Sequence, residues 1–261
     1  MSTFDRNQNV RYATAGTRAE AGVIDEGLRS YMLGVYNYMT LGLAITGLVA
    51  MAAAYLAVTQ DPSQAAGQLQ NGILLTSFGA AIYGSPLQWV VILAPLAMVF
   101  FLSFRIQSMS ASTAQTTFWV YAALMGLSLS SIFLVYTGGS IARVFFISAA
   151  AFGGLSLFGY TTKKDLSGWG SFLFMGLIGI IIASLVNIFL ASSALQFAVS
   201  VIGVLVFAGL TAYDTQQIKE MYYAGDSGEV ATKKSVMGAL RLYLDFINLF
   251  LMLLQLFGNR E

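Results

Sequence analysis

Seven long apolar runs set the limits on what this chain can fold into. They are Tyr38–Val58, Leu87–Phe104, Thr117–Tyr136, Ile141–Tyr160, Ser171–Ala191, Leu195–Ile218 and Val236–Phe257. A helix needs ~20 mostly apolar residues to cross a bilayer, and these runs have that length. Within hydrocarbon, backbone N–H and C=O groups must be satisfied inside a helix or a closed barrel. A barrel is built from short alternating strands, whereas these runs are continuous, so helix is the form they take. Composition agrees: hydrophobic residues are 57% of the 261 and charged residues 10%, against ~25% charged in a soluble domain. The expected fold is an all-α membrane protein of seven transmembrane helices.

One further segment, Gly72–Tyr83, is apolar but short, and Gly84, Ser85 and Pro86 follow it. A run of that length reads as interfacial or re-entrant rather than spanning. Charge supports the count of seven. With seven spans, all the Lys and Arg except Arg143 and Arg260 fall on one side, and the chain has 13. By the positive-inside rule that side is the cytoplasm. An eighth span at 72–83 would separate the later basic loops from the basic N-terminal segment. The expected topology is therefore a cytoplasmic N-terminus and an external C-terminus. Residues 1–30 are polar, lack the apolar core of a signal peptide, and read as a mobile cytoplasmic tail. Residues 31–261 form the transmembrane domain, with Asp25–Tyr38 as an interfacial lead-in. Trp89, Trp119 and Trp169 sit near span ends, as interfacial anchors do. Small residues such as Gly42, Ala44, Gly47, Gly153, Gly154, Ser156 and Gly159 read as helix-packing positions.

The chain has no Cys and no His. Disulfides, thiol catalysis, zinc–sulfur sites and the usual general base are thereby excluded. A net charge of +1 offers nothing to nucleic acid. Ionisable groups inside spans are costly and so mark function by default. Two stand out: Asp214 near the end of the sixth span and Asp245 in the seventh. Both lie one to two turns from the basic side, at similar depth. Arg241, Asp245, Asn248 and Gln255 share one face of the seventh helix, at spacings of four, three and seven. A polar face of this kind must meet protein or water, which places that helix centrally. Asn187 and Arg105 are further candidates for the same interior. Plainer readings stand beside these. Asp214 can be a helix-end acid reaching the cytosol, Asp245 can pair with Arg241 one turn away, and Arg105 can be a snorkelling anchor. If the two acids meet, they cannot comfortably both ionise, so they share a proton and titrate as a unit. Fully ionised, they offer hard oxygen ligands to Ca²⁺, too few for tight binding. No cofactor is expected beyond that ion.

The stretch Gly209–Ile218 (GLTAYDTQQI) resembles the signature of the transmembrane Bax inhibitor motif family. Ala239–Gly258 resembles the family's C-terminal helix, and Gly159–Leu166 (GYTTKKDL) resembles its loop after the fourth span. The likeness covers roughly residues 30–260 and is similar to the bacterial members. It implies six helices around a central seventh, and a calcium leak gated by pH through Asp214 and Asp245. It also implies a latch arginine in the second span, where Arg105 is the basic residue. Some bacterial members partner membrane proteases, so a membrane-embedded modulator is the alternative function. An enzyme is not expected. The Asp245 context, Leu-Tyr-Leu-Asp, is not the GxGD of intramembrane aspartyl proteases. A rhomboid needs His, and a retinal protein needs a lysine in the seventh span, which Val236–Phe257 lacks.

Overall fold

A computed structural model describes the backbone of residues 3–69 and 72–260, and side chains from Glu26 onward apart from residues 70, 71 and 261. Among the described residues there are eight α-helices: α1 (Thr3–Ala57), α2 (Ser77–Gly84), α3 (Leu87–Arg105), α4 (Ala111–Leu129), α5 (Gly138–Thr161), α6 (Ser167–Leu190), α7 (Ser193–Glu220) and α8 (Gly228–Phe257). Seven of them, all but α2, are long and apolar enough to cross a membrane. Short polar residues start several of these helices. Ser110, Thr137, Ser192 and Ser227 each accept a hydrogen bond from the backbone N–H three residues on. Each cap satisfies one of the N–H groups that a helix start leaves without a partner.

The region expected to be interfacial or re-entrant is a small cap. Strands β1 (Gly67–Gln68) and β2 (Leu74–Leu75) pair antiparallel, and the eight-residue α2 follows. α2 packs against the end of α1, where Gly79 sits directly on the Ala57 carbonyl. A side chain at Gly79 would not fit there.

The first membrane helix begins earlier than the apolar run alone suggests. The lead-in and the span belong to one unbroken helix, α1. Tyr31, Met32 and Val35 are buried, and the Tyr31 ring packs 5.7 Å from that of Tyr222. The early turns of this stretch are therefore held by protein contacts with the α7–α8 connection. The side chains of residues 1–25, expected to belong to a mobile tail, lie outside the described residues.

α8 is the centre. In its most apolar stretch 67% of the residues are buried, against 11–39% in the other six membrane helices. It packs against α1, α4, α5 and α7, while α6 leans on α7 and α3 on α4. Close approach at two glycines sets the spacing of the outer helices: Gly159 of α5 faces the Ala212 carbonyl of α7, and Gly126 of α4 faces the Thr46 carbonyl of α1. Gly42 likewise packs, against Phe118, but three of the expected packing positions do not. Gly47, Gly153 and Gly154 face open space.

Candidate functional site

α7 and α8 run antiparallel, and their register is fixed by apolar contacts. Ile218 packs on Gly238, and Met252 on Gly203. That register sets Asp214 opposite Arg241 and Leu242, with Asp245 about one turn deeper. Helical side chains lean toward the N-terminus of their own helix. Asp214 therefore leans inward and Asp245 outward, which closes the gap. The two carboxyl groups lie within hydrogen-bonding range of one another. Asp245 is buried, and its Oδ2 meets no N–H or O–H donor. The charge of Arg241 acts on both acids. Two carboxyls in such contact repel one another when both are ionised.

The pair lines a cavity of about 650 Å³ between α6, α7 and α8, together with Arg241, Asn248 and Tyr213. Asn248 donates to the Leu244 carbonyl of its own helix at 2.8 Å, and Tyr213 packs over Gly170 of α6. Hard oxygens are available from Asp214, Asp245 and the Asn248 amide. Among the described residues no group of three or more acidic, His or Cys side chains forms a metal cage. So few ligands could not by themselves complete the shell of about six to eight oxygens that a calcium ion takes.

The other expected residues lie elsewhere. Arg105 is exposed at the end of α3 and forms no ion pair with either acid. Gln255 shares the face of Asp245 but stands ~15 Å further along α8, where it accepts a hydrogen bond from Ser200 at 2.8 Å. Asn187 closes the α6–α7 turn: its side chain accepts from Ser192 N at 3.0 Å and its carbonyl from Ala191 N at 2.8 Å. The structure thus brings Arg241, Asp245 and Asn248 to Asp214, and leaves Arg105, Gln255 and Asn187 apart from it.

Residues beside Asp214 hold its helix in place, and sequence reading passed them over. Gln216 is buried and donates to the Lys164 carbonyl at 2.9 Å while accepting from Leu166 N at 2.8 Å. It thereby clasps the α5–α6 loop. Thr215 lies 3.0 Å from Ser156 of α5, whose hydroxyl lies 2.6 Å from that of Tyr36 on α1. Thr211, Thr215 and Lys219 recur every four residues, and that spacing was the available signal. In the core, the hydroxyls of Thr46 and Tyr243 lie 2.6 Å apart, and Thr46 also reaches the Ala122 carbonyl at 2.8 Å. This joins α1, α4 and α8.

The fold and site define a multi-pass helical membrane protein with a carboxyl pair buried between its last two helices. The family model described as "Inhibitor of apoptosis-promoting Bax1" matches residues 28–261. The chain is 50% identical over 237 residues to inner membrane protein YbhL of Escherichia coli K12, covering 90% of this chain and 94% of that one. It is 50% identical over 248 residues to a Rickettsia prowazekii protein, covering 95% and 97%. It is 47% identical over 261 residues to a Caulobacter vibrioides protein, covering 98% and 99%. The chain belongs to the Bax inhibitor family.

Proposed function

We propose that this protein is a pH-sensitive calcium leak pathway of the bacterial inner membrane, with Asp214 and Asp245 as its proton-sharing sensor. The supporting observation is the mutual contact of two carboxyls that have no other donor at Asp245 Oδ2. With a proton between them, the acids tie α7 to α8 by a hydrogen bond. Loss of that proton leaves two like charges in contact, which repel one another and attract a divalent cation. Arg241 offsets part of that charge. Arg105 joins as a latch if α3 shifts toward the pair. In this reading the N-terminus is cytoplasmic and the C-terminus external, by the positive-inside rule.

The test is Ca²⁺ flux in liposomes from about pH 5 to 8, the range in which coupled buried carboxyls and their variants separate. Asp214→Asn and Asp245→Asn should each displace or abolish the pH transition of the wild type. Arg105→Ala should raise the basal leak. If both Asn variants keep the wild-type pH profile, the acids are not a coupled sensor. The alternative reading, a membrane-embedded modulator of a protease or other membrane protein, then takes its place.

A further inference from the structure

A second cavity, about 1310 Å³, runs between α1 and α5 and is separate from the carboxyl pair. On α1 its wall extends from Arg29 to Met51, a length of ~33 Å, close to the thickness of a bilayer core. Phe246 of α8 lies at its floor. Gly47 and Gly153 border it from opposite walls, and no atom lies where their side chains would be. Because both walls are membrane helices, this groove opens toward lipid.

Its polar groups gather at one end. Arg29 stands at that mouth, with Tyr36 and Tyr160 behind it. Lys219 is adjacent: its Nζ donates to the Tyr160 carbonyl at 2.9 Å and lies 5.7 Å from the Tyr160 ring. A lysine ammonium has three protons, so two remain for another acceptor. Two nearby acids are turned to local partners. Asp165 accepts from Ser167 N at 2.8 Å, and Glu220 lies 3.3 Å from the Gln217 amide. Glu26, one turn before Arg29, forms no ion pair with it among the described residues. The rest of the groove is Met, Leu, Phe and Gly. Cations at one end and an apolar trough beyond match a molecule with an anionic head and a hydrocarbon tail. A helix from a partner would fill the trough but leave Arg29 unanswered.

We propose that the α1–α5 groove is a binding site for an anionic phospholipid, its phosphate held at Arg29 and Lys219 and its acyl chain laid along the groove onto Phe246. The lipid would then wedge α1 from α5 and touch the central helix one residue from Asp245. This does not depend on calcium transport.

The test titrates phosphatidylglycerol or phosphatidylcholine into delipidated full-length protein in mild detergent, with bound lipid counted by native mass spectrometry. Phosphatidylglycerol should bind in preference. Arg29→Gln and Lys219→Gln should each weaken that preference about fivefold, as one interfacial cation does, while Arg29→Lys and Lys219→Arg keep it. Arg143→Gln, at the other end of α5, should leave it unchanged. Gly153→Phe from one wall and Gly47→Phe from the other should each remove the high-affinity lipid, and melting curves identify a variant that fails to fold. Equal binding of the two lipids by wild type would overturn the proposal. So would full phosphatidylglycerol binding in both groove-filled variants. A protein dimer that both groove-filled variants abolish would assign the groove to a second copy instead.

Discussion

α6 and α8 reverse the rule that governs soluble proteins. α6 is the most apolar of the seven membrane helices, yet only 11% of its most apolar stretch is buried. α8 is among the least apolar, and 67% of the corresponding stretch is buried. In water the greasier helix would go inside. In a bilayer the surroundings are as apolar as leucine, so apolarity gives no inward drive. Position is decided by what lipid cannot satisfy. α6 shows Phe172, Ile182 and Phe189 outward with nothing to gain from burial. α8 carries Arg241, Asp245 and Asn248, which need protein or water. Its remaining surface is shaped for packing: Tyr243 meets Phe118 and Tyr121 edge-on, and Leu242 and Leu249 are enclosed.

The sharpest break between the two helices should appear on truncation. Leu249→Ala opens a cavity in a fully packed site and should cost about 2–5 kcal/mol. Phe189, 88% exposed on α6, touches mainly lipid, and Phe189→Ala should change stability by less than ~0.5 kcal/mol. Unfolding in denaturing detergent measures both, and equal losses would break the comparison. A smaller effect should come from the polar contact that seats α8. Thr46→Val removes the partner of the buried Tyr243 hydroxyl and should cost about 1–3 kcal/mol. Adding Tyr243→Phe should recover most of that loss, because both polar groups are then gone. The smallest effect belongs to the end of α6. Ala191 holds a left-handed backbone with φ 46°, which costs a residue with a Cβ roughly 1 kcal/mol. Ala191→Gly should stabilise by up to that amount, read from the melting temperature.

The sequence makes the spans legible because length and apolarity are nearly all that insertion requires. Leu87–Phe104 and Val236–Phe257 end within a residue of the helices that contain them or share their C-terminal end. The carboxyl pair is legible for a related reason. Depth along two consecutive antiparallel helices is simple arithmetic, and buried acids are rare. What depends on rotation or height is not. Gln255 shares the helical face of Asp245 but not its level, so it meets Ser200 rather than the pair. Arg105 is the basic residue of its span, yet its exposure depends on how α3 turns, and periodicity in so uniformly apolar a helix says nothing of that. The packing of α1 ahead of its long apolar run has a signal that span length conceals. Tyr31, Met32, Val35 and Met39 are apolar at helical spacing and all are buried.

The place of α8 also has a consequence for how the protein is made. Chains emerge from the ribosome N-terminal part first, so six spans are synthesised before the one that packs among them. Until α8 arrives, Tyr121 and Phe118 lack the Tyr243 ring that meets them both, and Asp214 waits in the membrane without its partner. The six early helices must remain close enough to admit a seventh yet loose enough to part for it. Nascent chains halted before Gly228 and after Phe257 should therefore differ in protease resistance across their whole length, because arrival of the last helix converts a collection of inserted segments into a folded body.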